Sequence, residues 1–437
     1  MNDQKSGQFN GTQFLKLIQE KFAQIPDSRV RSSGNSLKSC LLSCYAMFAL
    51  KYSSLLQFDK DSRKECILNN LKTVFGIEGV PSDTQMRERL DLVSPEALRP
   101  VFKALFALTQ RNKKLEPLQY HDQRYIVSID GTGYFSSNEI HCEHCCAKEH
   151  KDGTISYYHQ MLVATLVHPD YKTVIPFAPE PILKADGAKK NDCERCAAGR
   201  LLTDFKREHP HLRVIITGDG LFSNGPFIKR LKEDGHSFIL VAKEGDHKSL
   251  FEDFNSLPHK ESFEKQEGKV THHFEWAHSL PLNASHPDCL VNVLEYQETN
   301  ANGVKKRWVW VTDQPLNPTV VYKIMRGGRA RHKIENETFN TLKNQGYNFE
   351  HNYGHGNNNL STVMANIMLL AFAVDQLKQM SCPVFSKALE EHGSKKNLWE
   401  KMRALFFNFF IQGGLSDLWD ALAYGIKHQP LAPNNTS

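Results

Sequence analysis

Three acidic residues carry the chemistry this chain could do. They are Asp130 in YIVSIDGTGYFSS, Asp219 in VIITGDGLFS and Glu335 in RARHKIENETFNTLK. Each Asp closes an apolar run that reads as a strand, and a glycine follows it, which is expected to leave room for a bulky backbone to approach. Ligand sites in α/β sheets gather at the C-terminal ends of parallel strands. Taken singly, each Asp-Gly is equally a turn. Glu335, one helical turn after Arg331, is equally half of a surface ion pair worth about 0.2–0.5 kcal/mol. As a set they make a site. Two Asp and one Glu are hard oxygen donors suited to Mg²⁺ or Mn²⁺. Two such ions about 3.5–4 Å apart can activate a water or a 3′-hydroxyl and stabilise the leaving oxygen of a phosphodiester. Asp130, Asp219 and Glu335 are therefore the expected catalytic residues and metal ligands. Arg326, Arg329, Arg331, Lys333 and Lys343 crowd the same stretch. They are either a solvated helix face or, beside the carboxylates, contacts to DNA phosphates.

A second cluster is built from thiols. HCEHCC and DCERC each hold a C-x-x-C pair, Cys142/Cys145 and Cys193/Cys196. Together they would make a four-thiolate zinc site; the alternative is ordinary packing of small residues. His351 and His355 lie in EHNYGHGNNNL and admit a metal reading, but the Gly and Asn density there favours a loop.

The elements that must position these groups follow from periodicity. Residues 1–115 read as helical, with Phe14, Leu17, Ile18 and Phe22 on one face of the first helix. From 120 to 242 the texture becomes strands and β-α-β units, which predicts an α/β core with a mixed sheet. Residues 243–307 alternate in short runs and form a β-rich insertion, with a hairpin at NANG. Residues 308–380 return to the core with a long helical stretch ending at Gly346, and 381–437 are a helical C-terminal region. VMANIMLLAFAV (363–374) is too short to span a bilayer and reads as a buried helix. The 437 residues carry a net charge of +5, a mild basic excess that permits nucleic-acid binding. The start of the chain is polar and has no signal-peptide pattern. A cytoplasmic location without membrane partners is expected, in which the ten cysteines are thiols or metal ligands.

From about residue 80 to 375 the chain resembles the DDE transposases of bacterial insertion sequences. The resemblance rests on PSDTQMRERL, SIDGTGYFSS, YYHQMLVATLVHPD, PFAPEPI, DGAKKNDCERCA and TGDGLF. It rests above all on RHKIENETFNTLKNQGYNFEHNYGHG. It implies a ribonuclease H-like mixed sheet flanked by helices, in the branch that carries a β-strand insertion before the Glu helix. It implies DNA cleavage at element ends and strand transfer into target DNA, with two Mg²⁺ or Mn²⁺ ions, terminal repeats and target DNA as partners, and a homodimer in the DNA complex. Arg331 and Glu335 fit the family's Arg-three-residues-Glu pattern. Two departures stand out: Gly328 replaces the family's Tyr, and Lys343 follows Glu335 after seven intervening residues rather than six. A nuclease with the same core that hydrolyses without joining, or a non-catalytic DNA-binding descendant, are the alternatives.

Overall fold

The computed structural model describes residues 11–27, 34–186, 190–426 and 432–433. Residues 187–189 of the DGAKKNDCERCA motif therefore lie outside the described residues. The N-terminal stretch is helical, as its periodicity requires: α1 (Gly11–Ala23), α2 (Leu37–Ala49), α3 (Leu55–Asp61), α4 (Glu65–Phe75), α5 (Asp83–Asp91) and α6 (Arg99–Arg111). Phe14, Leu15, Ile18 and Phe22 form the buried stripe of α1. Ser36 and Ser82 cap α2 and α5 by accepting the backbone N–H of Ser39 and Gln85.

The core is a mixed α/β fold around one twelve-stranded sheet flanked by helices. Its elements are β1 (Gln119–His121), β2 (Arg124–Ser137), β3 (Cys146–Glu149), β4 (Ile155–His168), β5 (Tyr171–Pro176) and β6 (Glu180–Ile182). They continue through α7 (Lys190–Glu208), β7 (Val214–Gly218), α8 (Gly225–Asp234), β8 (Ser237–Val241) and α9 (Lys248–Ser256). The last strands are β9 (Glu261–Glu267), β10 (Val270–Asn283), β11 (His286–Thr299) and β12 (Lys305–Thr312). The main path runs β3-β4-β2-β7-β8-β12-β11-β10-β9, and β1 pairs with β2 while β5 and β6 pair with β4. β2, β7 and β8 are parallel neighbours, and the remaining pairings of this sheet are antiparallel.

One expectation is corrected here. β2 does not end at Asp130. It continues through two glycines to Ser137, because β4 is equally long and pairs with it as far as Ser137↔Tyr157. The β-rich stretch 243–307 is continuous with the core sheet. β12 pairs with β8 through Trp310↔Val241, so β9–β12 extend the core sheet. Phe274, Trp276, Leu294, Tyr296 and Trp310 bury against Ile215 and Ile239 of the central strands. Burial of that many aromatic side chains is what holds the extension to the core.

After the sheet come α10 (Val321–Arg329), a π-helical turn (Ile334–Phe339), α11 (Asn340–Asn344), α12 (Leu360–Ser381), α13 (Pro383–His392), α14 (Lys395–Asn408) and α15 (Leu415–Tyr424). α12 is long and apolar enough to cross a bilayer, yet it is wholly buried inside the protein. N-terminal and C-terminal helices pack around it as one helical body. Lys51 and Asp375 pair there at 2.7 Å, and the Tyr347 hydroxyl donates to the same carboxylate at 2.7 Å. Burial pulls the Lys51 ammonium down to about 8 against that pairing.

Candidate functional site

The three carboxylates come together. The parallel register pairs Ser128 of β2 with Thr217 of β7. Carried two residues further, it sets Asp130 beside Asp219, on neighbouring strands about 4.8 Å apart. Asp219 terminates its strand by capping the next turn, its carboxylate accepting the Leu221 N–H at 3.0 Å. Asp130 lies on the same face of β2 as Ser128, whose hydroxyl donates to the Arg331 carbonyl at 3.4 Å. That contact docks the Glu-bearing segment against β2. Arg331 Nη1 then lies 2.7 Å from Glu335 and 3.6 Å from Asp130. The Asp130 side chain is 23 % exposed and Glu335 45 %, so the guanidinium is set between a more sheltered and a more open carboxylate.

The electrostatics record the convergence. Burial, first of all, raises Asp130 to about 6, with the Glu335 and Asp219 charges adding to it. The Arg331 charge and the Gly131 N–H oppose the rise without cancelling it. All three residues offer carboxylate oxygen, the donor type that Mg²⁺ and Mn²⁺ take.

Local sequence explains the geometry only in part. Thr338 and Leu342 are fully buried while Glu335 is open to solvent, although regular α spacing puts the three on one face. The π turn widens the helix at Glu335 and releases it from the buried stripe, as such turns often do at functional sites. The glycines after the two Asp residues sit in ordinary contact range of protein side chains. A Cβ on Gly131 would meet the Glu194 carboxylate at 3.5 Å, and one on Gly220 would meet Lys243 and Asp246. A Cβ on Gly328 would lie 2.6 Å from the Trp310 indole nitrogen, so no larger side chain fits there without a shift.

The basic residues are more engaged than a free phosphate-binding face would be. Arg329 pairs with Glu298 at 2.7 Å and lies over the Trp308 ring. Lys343 pairs with Glu350 at 2.6 Å, Lys333 donates to the Tyr171 carbonyl, and Arg326 pairs with Asp170. A cleft of about 510 Å³ opens beside Asp219, lined also by Glu194, Arg195, Asn224, Lys243 and His247. A larger one of about 830 Å³ contains none of the three carboxylates. Its Arg200 is paired with Glu180 and Asp186, so size does not mark the chemistry here.

The expected four-thiolate site is not formed. α7 buries Cys193 beside Cys146 and leaves Cys196 exposed, because positions three apart diverge by about 60° around a helix. Cys142 and Cys145 instead converge with His159 of β4 and His355 of the loop before α12. The four ligand atoms lie within 4.8 Å of one another and could hold a metal ion. Neither histidine was legible as a ligand: His159 is embedded in a strand, and His355 in a glycine-rich loop. The one usable signal is the glycine on each side of His355. Gly354 and Gly356 have φ of 142° and 71°, conformations that let the chain turn the imidazole inward. The chain matches no protein-family model, and no curated protein matches it.

Proposed function

We propose that this protein is a DDE-type DNA transposase with a ribonuclease H-like core, cutting DNA at element ends and joining the freed end to target DNA. The observation that carries the reading is the convergence of Asp130, Asp219 and Glu335 around Arg331, with Asp130 and Asp219 on neighbouring parallel strands. The sequence resemblance points the same way. Asp130, Asp219 and Glu335 would hold Mg²⁺ or Mn²⁺, which supplies the positive charge that phosphoryl transfer needs at its attacking and leaving oxygens. The protein supplies position. Asp219 is fixed by its own capping bond, Asp130 by the sheet, and Glu335 by the docking of the Arg331 carbonyl on Ser128. Arg331 is placed to contact a phosphate once a cation takes over the carboxylates.

In the first step a water oxygen bonds to phosphorus and the bond to O3′ breaks, leaving a 3′-hydroxyl on the element and a 5′-phosphate on the flank. In the second, that 3′-hydroxyl oxygen bonds to a target phosphorus, and the target's own 3′-oxygen leaves and is protonated. Two chains, one per DNA end, would be needed to bring both ends together, with the protein in the cytoplasm on DNA.

The test uses DNA carrying the inverted repeats that flank the gene. Wild-type protein with Mg²⁺ should nick the repeat end and join it to a second duplex. Asp219→Asn and Glu335→Gln should each lower cleavage by at least about 10³-fold while binding persists. Normal nicking by either variant removes that residue from the site. Nicking without joining in the wild type would assign a nuclease instead.

A further inference from the structure

The four-residue cluster near the end of the sheet has the dimensions of a filled coordination shell. We propose that Cys142, Cys145, His159 and His355 hold one zinc ion, structural rather than catalytic, that clasps β4 to the loop between α11 and α12. The distances are the first support. Tetrahedral zinc with bonds of about 2.3 Å to sulfur and 2.0–2.1 Å to nitrogen requires separations of about 3.8 Å for S···S, 3.6 Å for S···N and 3.3 Å for N···N. Here Cys142 Sγ and Cys145 Sγ are 3.9 Å apart. The sulfur–nitrogen contacts are 3.6 Å from Cys142 to His159 Nε2, and 3.3 Å from Cys145 to both His159 Nε2 and His355 Nε2. The two Nε2 atoms are 3.1 Å apart. Shared protons account for one or two such contacts, whereas four donor atoms all within 4.8 Å of one another suit a metal ion. A sulfur separation of 3.9 Å also excludes a disulfide, whose bond is about 2.05 Å.

The surroundings of the ligands agree. His355 donates its Nδ1–H to the Gly356 carbonyl at 2.8 Å, which leaves the Nε2 lone pair facing the cluster. The Cys142 backbone N–H donates to Cys145 Sγ at 3.5 Å, a bond that suits a thiolate. Tyr134 stacks on the His159 ring within 7° of parallel, and its hydroxyl is tied to Thr362 of α12 at 2.8 Å. Cys145, His159 and His355 are buried. Two thiolates and two imidazoles in a tetrahedron select zinc, and four protein ligands leave no open position for substrate.

The place in the fold gives the ion its task. His355 comes after the Glu335 turn and α11, and the following N–H groups of Asn357–Leu360 are gripped by Asp91 of α5. Cys142 and Cys145 lie beyond the end of β2, the strand of Asp130. The clasp therefore ties the far end of one carboxylate's strand to the segment that leaves another's helix. This inference does not depend on the proposed reaction, because metal content is read without it.

The full-length chain, purified without chelators or immobilised metal, should contain about one zinc per chain by elemental analysis. Growth on Co²⁺ should give the visible bands of a tetrahedral site with thiolate charge transfer. Cys145→Ser and His355→Ala should each lose the metal, whereas Cys193→Ser and Cys196→Ser should keep it. If the first pair fails to fold, the Co²⁺ spectrum of the wild type decides, since two thiolates give about half the charge-transfer intensity of four. Metal removal should speed backbone hydrogen exchange over residues 350–362. Wild-type protein without zinc, or zinc lost from Cys193→Ser and kept by His355→Ala, overturns the proposal.

Discussion

Replacing Asp130 by Asn should make the metal-free protein more stable, which is the reverse of what loss of an ion pair usually does. Burial and two neighbouring carboxylates hold Asp130 at about 6, against an ordinary value of 3.8. Each pKa unit is worth about 1.4 kcal/mol. Keeping Asp130 ionised at pH 7.5 therefore costs the folded state up to about 3 kcal/mol relative to the unfolded chain. The sign follows from proton affinity. The folded state holds the proton more tightly, so wild-type stability falls as pH rises from about 4 to about 6 and changes no further above that. Asn is the neutral isostere and can still accept the Gly131 N–H. Asp130→Asn should match the wild type near pH 4 and exceed it by up to about 3 kcal/mol at pH 7.5, a rise of a few degrees in melting temperature. The assay is urea and thermal unfolding of both proteins across that range without added divalent metal, then with Mg²⁺, which should stabilise the wild type and not the variant. A variant less stable at pH 7.5, or a difference that ignores pH, would show that Arg331 already neutralises the site and that the carboxylates need no cation.

Arg331→Ala removes the charge that holds Asp130 down, so the acid limb of the cleavage profile should move to higher pH and DNA affinity should lose part of its salt dependence. Arg331→Lys keeps charge without the planar fork and should slow cleavage more than it weakens binding; unchanged cleavage in both variants would reduce Arg331 to a surface pair worth about 0–1 kcal/mol. Asp91→Ala should destabilise the protein by about 1–2 kcal/mol, because four backbone N–H groups lose a charged acceptor. Burial alone would raise the Asp91 carboxyl, but those donors hold it below the usual range. Its contribution is thus full above the ordinary carboxylate pKa and fades as pH falls through the lowered one; equal acid unfolding of wild type and Asp91→Ala would disprove this.

Patterns that live within one element were readable. The β-α-β run, the hairpin at NANG and the buried α12 all follow from local periodicity, and Asp130 and Asp219 betray a shared site by the same strand-Asp-Gly texture. What could not be read depends on partners distant in the chain. β2 outruns Asp130 because β4 offers pairing to its end. The 243–307 stretch joins the main sheet because Trp310 and its neighbours find Ile215 and Ile239. Two evenly spaced C-x-x-C pairs suggested four thiolates, but the helix divides Cys193 from Cys196, and the missing ligands came from residues 14 and 210 positions away from Cys145. Cysteine spacing names the chemistry of such a site more readily than its members.

The π turn at Ile334–Phe339 carries a meaning in chain length. A turn closed by i→i+5 bonds takes up one residue more than an α turn without passing the extra rotation down the helix. It is what a helix does with a single inserted residue it cannot refuse. Lys343, eight residues after Glu335, thereby takes the angular position that an uninterrupted helix would give it one residue earlier. Deleting Asn336 would close the π turn to an α turn without rotating the helix on either side, and Glu335 would lose the widened turn that opens it to solvent. At this point in the chain a change of one residue in length is absorbed by the turn rather than passed to the core.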